Sequence, residues 1–228
     1  LEISRTYFPK DNKEEAYAYD NLGRYYALKH SDYKTALEFF QKTLQIQLAI
    51  LPKDSSRIAG AYSNFSWLYQ LMGEYDKVMQ YEQKALNLKI KIFGENHRSI
   101  ATSYYIIGTT YFYLQEYDIA LQFYNKSLNI RKRVLDSDHI DISDSFFNIG
   151  LAYYKKEEFD TALLFFDKSL AIKSKTLDEN HIKIVKVNDL IGRVYWKKGK
   201  YDKALFYFKK ELSVMINLYG KKNLTIIP

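Results

Sequence analysis

The sequence predicts an all-α chain, a solenoid made by stacking one helical-pair unit, and three observations point to it. The stretch Tyr117-Asp118-Ile119-Ala120-Leu121-Gln122-Phe123-Tyr124-Asn125-Lys126-Ser127-Leu128 returns in variants whose opening aromatics are Tyr33, Tyr75, Tyr117, Phe159 and Tyr201, a step of 42 residues each time. A fixed step of roughly 20–50 residues marks a repeat array, in which each unit buries its apolar face against its neighbours. Apolar residues inside each unit fall at helical spacing, and no stretch alternates with period two. Pro9, Pro52 and Pro228 are the only prolines, and none interrupts a helical pattern.

Each unit holds two helical patterns. Around residues 99–135, Ile100, Tyr104, Ile107, Gly108 and Tyr111 mark one face of a first helix. Gln115-Glu116 breaks the pattern. Tyr117, Ala120, Leu121, Tyr124 and Leu128 then mark a longer second helix ending near Leu135. Asp136-Ser137-Asp138-His139 supplies capping residues before the next unit. The register runs through every unit: Gly23, Ser66, Gly108, Gly150 and Gly192 in the first helix, each followed three residues later by Tyr26, Tyr69, Tyr111, Tyr153 and Tyr195. The step from Gly23 to Ser66 is 43, which places one extra residue in the first turn, around Lys29-His30-Ser31. Gly costs a helix interior about 1 kcal/mol relative to Ala, so its recurrence predicts a close helix approach with the Tyr filling the space between helices. The small residue of the second helix, Ala in most units, implies the same closeness.

This register predicts one array over residues 1–228, with about five repeats near 12–50, 54–92, 97–134, 139–176 and 181–218. Partial repeats are expected at both ends. Ile3-Ser4-Arg5-Thr6-Tyr7-Phe8 aligns with Leu88-Lys89-Ile90-Lys91-Ile92-Phe93, and Tyr219-Gly220-Lys221-Lys222-Asn223 with Phe93-Gly94-Glu95-Asn96-His97. A chain that starts at Leu1 and lacks polar capping helices is expected to be a piece of a longer array.

Composition bounds the function. Of the 228 residues, 47% are hydrophobic and 27% charged, enough apolar material for a core. There is no cysteine, which excludes a disulfide framework and a thiolate metal site and fits a reducing, cytoplasmic setting. No apolar run is long enough to span a bilayer. The net charge of +7 raises the question of nucleic acid, but Arg131-Lys132-Arg133, Lys173…Lys175, Lys89…Lys91 and Lys209-Lys210 all lie late in second helices, where the helix dipole favours cations. His97, His139 and His181 sit one period apart. Helix axes roughly 8–10 Å apart keep equivalent positions from meeting on one metal ion, so a linker role is expected. No phosphate-cradling glycine loop, His-Glu-x-x-His or Gly-x-Ser-x-Gly elbow is present, and neither catalysis, nor a cofactor, nor a small-molecule substrate is expected.

Gly150-Leu151-Ala152-Tyr153…Phe159…Ala162-Leu163…Phe166 resembles the tetratricopeptide signature, lengthened from about 34 residues to 42. The linkers Gly94-Glu95-Asn96-His97-Arg98 and Leu177-Asp178-Glu179-Asn180-His181-Ile182 resemble those of kinesin light chains. Two departures stand out: single Asn21, Asn64 and Asn148 where those proteins favour paired Asn, and Arg98, Ile140 and Ile182 where they carry Pro after the linker His. The resemblance implies a right-handed superhelical solenoid of tetratricopeptide helix-turn-helix repeats. Its first helices would line a concave groove that holds an extended peptide or partner segment.

Carried onto this register, that implication selects Asn21, Arg24, Asn64, Trp67, Tyr105, Phe112, Phe147, Asn148, Tyr154, Asp189, Arg193 and Trp196 as peptide-binding residues. Exposed aromatics beside Arg make binding hot spots, and Asn can hold a peptide backbone through its donor and acceptor. Lys186, Arg193 and Lys197 would favour acidic flanks. Asp20 stands where the carboxylate clamp of chaperone-binding relatives wants Lys or Asn, which disfavours that partner. The leading expectation is therefore a non-enzymatic, kinesin light chain-like scaffold. A second is a ligand-responsive sensor module, resembling peptide-pheromone receptors, whose superhelix changes on binding. A third is end-to-end self-association of the fragment through apolar helix faces at its ends.

Overall fold

The computed structural model describes residues 13–220, with Leu218 and Tyr219 described by their backbone alone. The stretches expected to form partial repeats at the ends, Ile3 to Phe8 and Lys221 to Asn223, lie outside the described residues. The described residues form ten α-helices: α1 Lys13–Lys29, α2 Tyr33–Ile50, α3 Ser56–Met72, α4 Tyr75–Phe93, α5 Arg98–Tyr113, α6 Tyr117–Val134, α7 Ile140–Lys155, α8 Phe159–Thr176, α9 Ile182–Lys197 and α10 Tyr201–Tyr219.

Contacts divide the chain into two compact units, residues 1–110 and 111–228, and the division falls inside α5. In the first unit α1 pairs with α2 and α3 with α4, while α2 also packs on α3. In the second, α7 pairs with α8 and α9 with α10, while α6 packs on α7 and α8 on α9. Within each unit these contacts join a helix to its partner in the pair and to the neighbouring pair, the nearest-neighbour stacking of a repeat array.

The local signals explain the helix ends. Ser55 Oγ accepts from Arg57 N at 3.3 Å, His97 Nδ1 from Ser99 N at 3.2 Å, His139 Nδ1 from Asp141 N at 3.0 Å and His181 Nδ1 from Lys183 N at 3.1 Å. The linker histidines are therefore helix caps: each ring Nδ1 satisfies an N–H that the first turn leaves without a partner. The turn inside each pair is also constant. Its left-handed residue, two before the opening aromatic, is Ser31, Gly73, Gln115, Glu157 and Gly199, with φ between 51° and 73°. The next backbone N–H donates to the Tyr carbonyl of the first helix: Asp32 to Tyr26 at 3.1 Å, Glu74 to Tyr69 at 3.0 Å, and Glu116, Glu158 and Lys200 to Tyr111, Tyr153 and Tyr195 at 2.9 Å. This closure resembles the Schellman end of a helix. The extra residue of the first pair sits inside this loop, before Ser31.

The Tyr finds a different partner from the glycine. Tyr26 stacks on Phe39, Tyr69 on Tyr81, Tyr111 on Phe123, Tyr153 on Phe165 and Tyr195 on Tyr207, with ring centroids 5.4–5.8 Å apart. Such ring pairs contribute about 0.5–1.5 kcal/mol beyond area burial. The glycine instead admits the following ring of the second helix. A Cβ on Gly23 would stand 2.6 Å from Phe40, on Gly150 2.8 Å from Phe166 and on Gly192 2.7 Å from Phe208. The second pair departs from this plan on both sides at once: Ser66 replaces the glycine and Glu82 replaces the ring, both fully buried. The small residue of the second helix is buried throughout, as Ala36, Val78, Ala120, Ala162 and Ala204.

Candidate peptide-binding surfaces

In the first unit, α1 and α3 bring Arg24, Asn64 and Asp20 together. Arg24 Nε donates to Asp20 Oδ2 at 3.0 Å, Arg24 Nη2 to Asn64 Oδ1 at 2.8 Å, and Asn64 Nδ2 to Asp20 Oδ1. Both ends of the Asn64 amide are thereby engaged, so it is not the open backbone clamp the sequence suggests; a ligand has to compete with or join this triad. Asn21 is exposed one residue beyond Asp20. Trp67 is partly buried, its ring edge-on to Phe40 at 6.4 Å, and Tyr105 is partly buried with its carbonyl accepting from Thr109 Oγ1 at 2.9 Å. A cleft of about 730 Å³ opens between α1, α2 and α3, with Asp20, Arg24, Gln47 and Asn64 in its wall.

In the second unit, Tyr154, Arg193 and Trp196 meet Lys197 and Phe208 around a cleft of about 400 Å³. Trp196 is 59% exposed, its ring held edge-on against Tyr201 at 5.2 Å. Asp189 accepts from Arg193 Nε at 2.7 and 2.9 Å, and these hydrogen bonds push the guanidinium pKa above its usual value. Tyr154 rests on Phe159 at 6.0 Å. The remaining expected residues are more enclosed. Phe112 packs against Tyr117 at 5.4 Å, Phe147 against Phe166 at 5.9 Å, and Asn148 Nδ2 donates to the Asp144 carbonyl at 2.7 Å. Among the aromatics chosen from sequence, Trp196 is exposed, and Trp67, Tyr105, Phe112, Phe147 and Tyr154 are partly buried.

The basic clusters hold what sequence reasoning missed. Lys89, Arg131 and Lys173, 42 residues apart, turn inward and are 8%, 6% and 2% exposed. Lys89 Nζ donates to Ser63 at 2.9 Å, Ser103 at 2.7 Å and Glu82 at 3.3 Å. Arg131 Nη1 donates at 2.8 Å both to the Asp141 carbonyl and to Ser145 Oγ. Lys173 Nζ donates to Ser143 Oγ and Asp144 Oδ1 at 2.8 Å and to Ser169 Oγ at 3.1 Å, and lies 5.7 Å above the Phe147 ring. Asp144 also accepts from Lys183 at 2.9 Å. Burial alone would raise the Asp144 pKa, but the bonds from Lys173 and Lys183 outweigh it and hold the carboxyl below its ordinary value. Burial lowers the Lys173 pKa, against the pull of Asp144. The two shifts pull opposite ways: pairing favours the ionised carboxylate of Asp144, while desolvation disfavours the charged ammonium of Lys173. The carboxylate, bonded to two lysines at 2.8 and 2.9 Å, is the better-held partner. The signal for this ladder was the repeat itself, one cation per period between small polar residues. Helix-dipole compensation does not account for it.

Among the described residues no cluster of metal-ligating side chains occurs, and no helix is long and apolar enough to cross a membrane.

The tetratricopeptide repeat family model matches residues 14–91, 58–133, 99–175 and 141–217. No curated protein matches the sequence significantly. Among solved structures, BtubC (BKLC) from P. vanneervenii is 18% identical, with 91% of this chain and 89% of that one covered at a TM-score of 0.78. The nearly identical TPR-like repeats of a Podosopora anserina putative kinesin light chain are 17% identical, covering 91% and 99% at 0.73. A Rap protein complexed with competence and sporulation factor is 18% identical, covering 94% of this chain but 56% of that one, at 0.74. At these identities the likenesses establish an all-α repeat solenoid and kinesin light chain-like neighbours, and nothing finer. With overlapping matches from residue 14 to residue 217 and the same helical pair written five times, the chain belongs to the tetratricopeptide repeat family.

Proposed function

We propose that the chain is a non-enzymatic protein-interaction scaffold, one array over residues 1–228, whose first helices hold an extended peptide or partner segment. The observation that carries this reading is the cleft around Trp196: an indole 59% exposed beside Arg193, Lys197 and Tyr154. An exposed Trp flanked by cations, of which Asp189 holds Arg193 in place, suits a bulky apolar anchor with an acidic neighbour. The Asp20–Arg24–Asn64 triad of the first unit adds a second polar contact region. A chain without cysteine fits a reducing, cytoplasmic setting, and that location is part of this reading. The reading includes no small-molecule substrate, cofactor or nucleic acid, since the cations that suggest the last are in part consumed inside the fold.

Selection from a random peptide display library tests this. Enriched peptides are expected to pair aromatic or branched apolar residues with Asp or Glu, and Trp196→Ala is expected to weaken them at least tenfold with an unchanged melting temperature. Selection of peptides that bind Trp196→Ala equally well would overturn the reading.

A second reading is a ligand-responsive sensor module, and the specific observation behind it is the likeness to the Rap protein complexed with competence and sporulation factor. Small-angle scattering of the chain with and without a selected peptide separates the two. A scaffold keeps its radius of gyration, whereas a sensor changes it.

A further inference from the structure

The buried cation stands 14 residues after the opening aromatic: Lys89 after Tyr75, Arg131 after Tyr117, Lys173 after Phe159. In the first pair that position, 14 after Tyr33, is Gln47. Gln47 Oε1 is buried and has no hydrogen-bond partner among the described residues. An unsatisfied buried carbonyl is a standing penalty that an incoming donor would remove.

The surroundings of Gln47 are those of the ladder with the cation taken out. In the second pair Lys89 reaches Ser63 on its own first helix and Ser103 on the next. The counterparts in the first pair are Asp20, which is 43 residues before Ser63, and Ala61, which is 42 before Ser103. One hydroxyl has become a carboxylate and the other has been cut back to a methyl. Beside Ala61, a Cβ built on Gly60 would meet nothing within 4 Å. The result is the cleft of about 730 Å³ described above, in a place that the other rungs fill with their own side chain.

We propose that this cleft receives a Lys or Arg side chain from the partner segment, whose ammonium or guanidinium takes the place of the missing buried cation between Gln47 and Asp20. The proposal rests on the scaffold reading and names one subsite of it. Arg24 lies in the same wall, but Asp20 already neutralises it at 3.0 Å. Lys13 and Arg57 line the cleft as well, and Arg57 has no side-chain partner among the described residues, so an anion is the competing occupant. Register and orphaned carbonyl together favour the cation, and Asp20, though already bonded to Arg24 and Asn64, keeps lone pairs for a further donor.

Amide chemical shifts of the isotope-labelled chain would be followed during titration with N-acetyl-lysine methylamide and N-acetyl-arginine methylamide. N-acetyl-norleucine methylamide and N-acetyl-glutamate methylamide serve as neutral and anionic controls. The cationic probes are expected to shift Gly60, Ala61 and Asn64 saturably and at least tenfold more tightly than either control. Gln47→Lys, whose own ammonium would complete the rung, is expected to abolish that binding and raise the melting temperature. Asp20→Asn is expected to weaken it severalfold. Tighter binding of the glutamate probe, no saturable shift with the cationic probes, or undiminished binding to Gln47→Lys would overturn the proposal. Failure of peptide selection at Trp196 would remove the scaffold reading and leave this titration standing; a failed titration beside successful selection would remove this subsite alone.

Discussion

At the scale of single residues, two glycines on first helices make opposite predictions. Gly150 is there because Phe166 fills the place of its side chain: a Cβ would lie 2.8 Å from the ring and 3.2 Å from the Ala162 carbonyl. A backbone carbonyl cannot step aside, so Gly150→Ala is expected to destabilise the chain by about 1–3 kcal/mol in urea unfolding. Gly60 has open space around its Cα, and Gly60→Ala is expected to stabilise by about 0.5–1 kcal/mol through helix propensity. A loss of stability at Gly60 would show that the α1–α3 spacing is tighter than described. Asp144 carries a pH signature. Its folded pKa lies below the ordinary carboxylate value, so its contribution is complete above about pH 4 and is lost as the pH falls through the lower folded value. Asp144→Asn should flatten that acid limb and, near neutrality, cost about 1–2 kcal/mol. The figure is modest because Lys173 keeps the hydroxyls of Ser143 and Ser169 and the Asp144 side chain is 33% exposed. Unfolding measured at pH 3 and pH 6 checks both.

At the scale of the helical pair, the turn is the test piece. Glu157 holds φ at 61°, a conformation that Gly73 and Gly199 adopt in the equivalent turns without a side-chain penalty. Glu157 is exposed, so Glu157→Gly is expected to raise stability by about 0.5–1 kcal/mol; a loss would mean that the carboxylate does more than tolerate its place. The pair also shows what a sequence reader can and cannot see. Helix existence, order and turn position all follow from the 42-residue step, because periodicity acts along the chain. The insertion in the first turn was legible for the same reason. Which of two adjacent rings meets Tyr153 was not: Phe165 and Phe166 differ by one residue, and the crossing of α7 and α8 decides that the first stacks on Tyr153 while the second covers Gly150. The coupled change of Ser66 and Glu82 was hidden similarly, since it is one event only when the helices touch.

At the scale of the whole molecule, the question is which polar groups the array spends on itself and which it keeps for a partner. Lys89, Arg131 and Lys173 are spent inside, between helices that their own units bring together. Counting charges along the chain cannot show this. Asn64 looked available in sequence because its partners, Asp20 and Arg24, lie 44 and 40 residues away. Trp196 was legible as an inner-face aromatic and is exposed, whereas Phe147 at the same kind of position is partly buried against Phe166, a difference made by neighbours across the pair. The central claim, that the first-helix surfaces engage a partner, is tested most directly by affinity capture from cell extract with the chain beside the double variant Arg193→Ala, Trp196→Ala, with melting curves of both. The scaffold account predicts a partner held by the parent chain and lost by a variant that melts within a few degrees of it. A partner held equally by both would contradict that account and direct attention to the second helices.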